Sequence, residues 1–269
     1  MTLVLVRRSL VDRRRWLVGW SIGMVGYSVV TVGFWPAIRD QSAQLNDMFD
    51  QMPDSVKSLL GMGDGVDPFS PIGYLSTKVY AFSVPLLLLI AGIGVVAAIA
   101  GDEEHGLLET VFALPITRRR LLLERWFAAL VLVAVPAMAS LVATLVCAAA
   151  VDLGAPIGGM VWATVGAMVL TWSVTGLTLV VGAFTGQRGL AIGVGSVTAV
   201  ASYLITSLAD ARIGFFETIE PLSVFTHYDV LDTLASGRPS WSLLVLVGVA
   251  VVATAAALWA IDHRDLRNA

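Results

Sequence analysis

Six windows of this chain carry no Asp, Glu, Lys or Arg and run for 20 residues or more: residues 16–35, 79–100, 126–151, 153–187, 189–209 and 239–261. Each meets the roughly 20-residue length needed to cross about 30 Å of hydrocarbon as a helix. The fourth is too long for one straight crossing, since 35 residues at about 1.5 Å each span near 50 Å. It must tilt, break or leave the membrane, and Gly158-Gly159 marks a place for its true start. The spans are therefore expected at about 16–35, 79–100, 126–151, 157–186, 189–209 and 239–261. Outer loops of 36–78 and 210–238 and an inner loop of 101–125 separate them, within a single domain of residues 1–269. Only 14% of residues are charged, against about 25% in an ordinary globular domain. An all-α membrane protein follows.

The loops fix which way it faces. Arg7, Arg8, Arg13, Arg14 and Arg15 precede the first span, and Arg118, Arg119, Arg120 and Arg125 lie between the second and third. With Arg188, Arg264 and Arg267, twelve basic residues share one side, against five on the other: Arg39, Lys57, Lys78, Arg212 and Arg238. The positive-inside rule places both termini in the cytoplasm. Trp16, Trp126 and Trp259 fall at inner edges, and Trp35, Tyr80 and Trp241 at outer ones. All but two of the basic residues are Arg, and Ala, Val and Gly abound, which suggests a GC-rich bacterial coding sequence and hence the bacterial inner membrane.

The N-terminus lacks the small-residue cleavage site of a removable signal, which also argues against a twin-arginine export signal. Leu3, Val6, Leu10 and Val11 recur at helical spacing among arginines. That predicts a short interfacial helix with its basic groups toward anionic lipid, the alternative being a frayed basic tail. In the first outer loop, Leu45, Met48, Phe49 and Met52 mark an amphipathic helix. A second short helix is expected from Asp54, as N-cap, to Gly61, with Val56, Leu59 and Leu60 on one face.

Several chemistries find no support. There is no nucleotide-cradling G-x-x-x-x-G-K, no G-x-S-x-G and no H-E-x-x-H. His105, His227 and His263 are scattered. The run Asp102-Glu103-Glu104-His105 points its side chains in different directions on a helix and has no second cluster to complete a metal site. Gly61-Met62-Gly63-Asp64 and Tyr228-Asp229 look like halves of an intramembrane aspartyl protease. That chemistry needs two buried carboxylates in adjacent spans, and here both lie in outer loops in reverse chain order. The single Cys147 excludes a disulfide framework. An ionisable group at the bilayer centre costs about 3 kcal/mol and is kept there mainly for relays or ion coupling. The six windows hold none, so a proton- or Na⁺-coupled carrier would lack its coupling group.

Charge is concentrated instead in residues 101–126, GDEEHGLLETVFALPITRRRLLLERW. Asp102, Glu103 and Glu104 are expected to open a short helix, complementing the positive end of its dipole. Leu107, Leu108, Val111 and Phe112 then share one apolar face, with Glu109 turned elsewhere. Pro115 stops the helix. Thr117 can cap the next, which runs through Arg118, Arg119 and Arg120 into the third span, and Glu124 can pair with Arg120. An apolar face with charged margins suits docking into a groove on a soluble partner. The alternative is a plain connector held to the lipid surface by its arginines.

Asp102, Glu104, Gly106, Glu109, Pro115, Thr117 and Arg118 together resemble the hallmark loop of type-2 ABC exporter permeases. The resemblance extends over the chain: an interfacial N-terminal helix, six spans and both termini inside. Leu222-Ser223-Val224-Phe225 followed by Tyr228 is similar to the family's L-S-P-F-x-x-Y, with Val224 departing from Pro.

The resemblance implies that the short inner helix is a coupling helix. Leu107, Leu108, Val111 and Phe112 would dock on an ATP-binding partner, with Glu103, Glu104 and Glu109 at the margin. It implies a pair of permease subunits, identical or homologous, over two ABC ATPase subunits. ATP and Mg would be bound by those partners, leaving this chain without cofactor or catalysis of its own. The second and fifth spans would line the pathway, which points to Tyr80, Ser83, Ser196, Ser202, Tyr203 and Thr206. Hydroxyls in spans also bond their own helix backbone, so plain packing is the other reading. Gly19-x-x-x-Gly23, Gly182-x-x-x-Gly186 and Gly189-x-x-x-Gly193 permit close helix approach. Membrane lipid is an expected partner and nucleic acid is not. Family membership leans toward export, and an apolar pathway suggests an amphipathic drug, peptide or lipid as cargo. Two further classes are open: an ATPase-independent channel or carrier, and a non-transporting scaffold or sensor.

Overall fold

The computed structural model describes residues 4–42, 44, 51–53, 56, 67–104 and 117–263. Among them every regular element is helical. The first turns are α1 (Val4–Asp12), α2 (Arg14–Gly33) and α3 (Trp35–Asp40). Next come α4 (Pro71–Tyr74), a π-helical turn (Leu75–Tyr80) and α5 (Ser83–Glu104), which together make the second span. The third, fourth and fifth spans are α6 (Arg118–Ala150), α7 (Ile157–Thr185) and α8 (Arg188–Asp210). After two short helices, α9 (Gly214–Ile219) and α10 (Val230–Ser236), α11 (Leu243–His263) forms the sixth. Six helices are long and apolar enough to cross a membrane. The two helices expected in the first outer loop lie outside the described residues.

α7 is the hub. It packs against α11, α5, α8 and α6, and 72% of its apolar window is enclosed, against 17% for the first and fifth spans. Its centre would strand polar groups if they were not satisfied locally. Thr164, Thr171, Thr175 and Thr178 each donate to the carbonyl four residues earlier. Ser173 also donates to the Leu246 carbonyl at 2.7 Å, tying α7 to α11. Ser28 and Ser140 join the first and third spans, Oγ to Oγ at 2.7 Å.

Helix ends extend beyond the uncharged windows. The second span starts at Pro71, not at residue 79, because Ser70 caps it: its Oγ accepts from the Gly73 amide at 3.1 Å. Lys78, expected in the outer loop, therefore sits inside that helical column. Charge-free windows mark where a helix can meet lipid, whereas caps mark where it ends. α1 is helical as expected, with Val6 buried and Leu10 packed on the cluster around Leu122 and Trp126.

The paired glycines divide into two kinds. Gly182 approaches Ala100, while Gly186 has φ of 64° and closes α7 in the left-handed region. A Cβ on Gly19, Gly23, Gly189 or Gly193 would meet nothing within 4 Å among the described residues. A different pair does the close packing. A Cβ on Gly159 would stand 2.5 Å from the Leu234 carbonyl oxygen and 2.8 Å from its Cα, both backbone. Gly159→Val is accordingly expected to destabilise the fold by about 2–3 kcal/mol by forcing α10 away, read as a lower midpoint in detergent thermal unfolding. Gly19→Ala, with open space around it, should leave that midpoint unchanged.

Candidate functional site

The charged loop joins the second and third spans at one end of the bundle. Asp102, Glu103 and Glu104 continue α5 and do not open a separate helix. Nothing in Gly101-Asp102-Glu103-Glu104 breaks a helix, so the span simply continues through them. Gly106, Leu107, Leu108, Glu109, Val111, Phe112 and Pro115 lie outside the described residues. Beyond them Thr117 caps α6, its Oγ1 accepting from the Arg120 amide at 3.4 Å. Arg118 follows as the first residue of α6. Arg120 Nε donates to Glu124 Oε1 at 2.8 Å, the expected i, i+4 pair. Arg119 pairs with Asp262 near the end of α11.

Both edges of the loop are therefore tied to spans. On the α5 side, Gly101 leaves room for the Arg188 stem, whose Cδ lies 2.9 Å from where a Cβ would stand. One residue earlier, the Ala100 methyl lies 3.2 Å from the corresponding point on Gly182. The second, fourth and fifth spans thus meet at the root of the loop.

At the opposite end, the chain between α8 and α11 folds back over the bundle. Ser223, in the L-S-V-F stretch, is 1% exposed. Its Oγ donates to the Ser202 carbonyl at 2.7 Å and accepts from the Phe225 amide at 3.2 Å. Thr206 Oγ1 shares hydrogen bonds with Ser223 Oγ at 2.7 Å and Thr226 Oγ1 at 2.8 Å. Phe225 meets Tyr203 edge-on at 5.4 Å. Tyr228 is buried, donates to the Ala163 carbonyl at 3.2 Å, and lays its ring on Gly166. Burial pushes the Tyr228 phenol well above its ordinary value, so the hydroxyl stays a donor.

A cavity of about 740 Å³ opens beside this returning segment, lined by Ser76, Thr77, Thr206, Asp210, Glu217 and Asp229 among others. Its wall mixes hydroxyl, apolar and charged side chains, the charged ones being Asp210, Glu217, Glu220 and Asp229 with Arg212 as the basic member. Of the six candidate pathway residues, Tyr80, Ser83, Ser196, Ser202, Tyr203 and Thr206, the last two line it. Ser202 is buried beneath Ser223. Tyr80 is enclosed, with its hydroxyl 3.1 Å from Thr164 Oγ1. Ser83 lines a separate groove, and Ser196 is exposed on the outward face of α8. The six do not form one surface within the chain. The sequence offers no local sign that Ser223 is enclosed, since a buried serine in a loop carries no periodic signal, and Lys78 stands one residue outside its charge-free window.

Among curated proteins the chain found no match. A family model described as ABC-2 family transporter protein matches residues 6–266, nearly the whole chain. With six spanning helices on that same stretch, the chain belongs to the ABC-2 transporter family as its multi-pass membrane permease.

Proposed function

We propose that this chain is the permease subunit of an ATP-driven exporter, worked by separate ATPase subunits through its 101–125 loop. The observation that carries the reading is the rooting of that loop. One edge continues the second span and lies against Arg188 of the fifth; the other is capped into the third and paired to the sixth. A push on the loop would act on four spans at once. Two such subunits, identical or homologous, pair over two ATPases that bind ATP and Mg, and the termini and loop face the cytoplasm of a bacterial cell. α1 lies at the inner interface, with Arg7 and Arg8 exposed toward lipid headgroups. The exposed faces of the first and fifth spans, which carry Gly19, Gly23, Gly189 and Gly193, are the surfaces for the second subunit.

Isolation of the protein from its native membrane should bring an ATP-binding subunit with it. Vesicles holding the chain alone should move no cargo with or without nucleotide, and vesicles holding the isolated complex should move it only with ATP. Transport by the chain alone would establish the channel or carrier instead. Stable ATPase association without any transport would establish a scaffold.

A further inference from the structure

The cavity of about 740 Å³ beside the returning segment is polarised along its depth. Asp210 ends α8, and Tyr203 lies seven residues before it, about 10 Å deeper at helical rise. Tyr203 meets the buried Phe225 edge-on at 5.4 Å, which gives the cavity an aromatic base. Asp210, Arg212, Glu217 and Asp229 are all exposed, so the charged side is the open one. With Glu220, the described lining sets four carboxylates against a single guanidinium, that of Arg212.

A hydroxyl gives an independent sign that the cavity takes a ligand. Ser76 lies in the π-helical turn of the second span, is 7% exposed and lines this cavity. Among the described residues its Oγ has no hydrogen-bond partner. The neighbouring Thr77 turns back onto the Gly73 carbonyl at 2.8 Å, as hydroxyls in a helix commonly do, but Ser76 does not. Enclosing a hydroxyl without a partner is unfavourable, and a polar group in the cavity would relieve it. Turns of this π-helical kind recur at functional sites.

Charge and size narrow the occupant. Four carboxylates against one arginine repel a phosphate or carboxylate ligand and attract a cation. Among the described residues no group of His, Cys, Asp or Glu is arranged to hold a metal ion, so these acids do not converge on one inorganic cation. They suit a charge carried on a larger molecule, and the cavity volume falls in the range of sites for drug-sized ligands. An aromatic base accepts an apolar body, and an N–H on the cation can donate to the Ser76 hydroxyl.

We infer that this cavity binds a protonated amine with an apolar or aromatic body. Its N–H groups point toward the carboxylates and Ser76, and its body rests against Tyr203 and Phe225. Taking that amine as the cargo rests on the function proposed above, since the cavity gathers the pathway candidates Tyr203 and Thr206. The binding itself does not rest on it.

The test uses the full chain, without ATPase, in neutral-lipid nanodiscs, titrated with three probes that share one fluorophore. Dansylcadaverine is an ammonium at neutral pH, dansylamide is uncharged and dansylglycine is an anion; nanodiscs without protein give the partition into lipid. Dansylcadaverine should bind about tenfold more tightly than the other two, a preference largely lost in about 1 M salt. Glu217→Gln combined with Glu220→Gln, which keeps side-chain size, should weaken it about fivefold. Ser76→Ala should weaken it about threefold without lowering the unfolding midpoint, because that hydroxyl holds nothing in the fold. Equal affinities for the three probes, an unchanged affinity in the double variant, or calcium binding tighter than the amine would overturn the site. Such a failure would leave the ATP-driven reading standing. Amine binding by a complex that moves no cargo with ATP would remove that reading and keep the site.

Discussion

Tyr228→Ala is expected to lower stability by about 3–5 kcal/mol, the range for removing a fully buried aromatic ring. The ring is 7% exposed and wedged between the returning segment and α7. Its space exists because residue 166 is glycine: a Cβ there would stand 2.8 Å from Tyr228 Cε2. Removing the ring leaves a void whose floor is helical backbone, which cannot collapse to fill it. Tyr228→Phe keeps the ring and loses only the donation to the Ala163 carbonyl, so about 1 kcal/mol is expected. Gly166→Ala should resemble the truncation in part, because it expels the ring from the other side. Thermal unfolding in detergent, followed by size-exclusion recovery, ranks the three. Equal midpoints for Tyr228→Ala and Tyr228→Phe would show that the ring carries no packing load.

The same residue illustrates what could be read in advance. Six spanning helices were legible because hydropathy over 20 residues is a strong periodicity-free signal. The Thr117 cap and the Arg120–Glu124 pair were legible because both depend on spacings of three and four along one helix. Tyr228 and Phe225 could be singled out only by likeness to a family stretch, and nothing local announces that they are enclosed. Ser223 is held by Ser202 and Thr206, about 20 residues earlier, and such contacts belong to the fold rather than to the segment. Placement of Asp102, Glu103 and Glu104 went the other way. Acids favour helix starts by a few tenths of a kcal/mol each, while an uninterrupted helix gains a backbone bond with every residue added. Propagation won, and the acids continue the helix of the second span.

Lys78 shows the limit of charge as a boundary marker. One lysine closed the window, yet Ser70 and Pro71 start the helix eight residues sooner. A helix protruding above the hydrocarbon can carry a cation at headgroup height without penalty, because long basic side chains reach the polar layer. The side chains called a pathway were dispersed for a related reason. Period and polarity select residues on a helix, but α7 at the centre takes Tyr80 for itself, and the returning segment takes Ser202 and Thr206.

Leu108→Asp should abolish recovery of the ATPase subunit with the permease while leaving insertion and the unfolding midpoint as they were. Leu108 lies on the proposed docking face with Leu107, Val111 and Phe112, between two rooted ends. Binding through such a face is concentrated in a few buried apolar anchors, each costing 2 kcal/mol or more when lost, or about thirtyfold in affinity. An aspartate adds the cost of burying a charge in an apolar groove, so the loss should exceed that of Leu108→Ala. Glu109→Gln, at the margin, should weaken association a few fold at most and mainly alter its dependence on salt. If Leu108→Asp co-purified with its ATPase undiminished, the loop would be a connector, and the push on the second, third, fifth and sixth spans would need another handle.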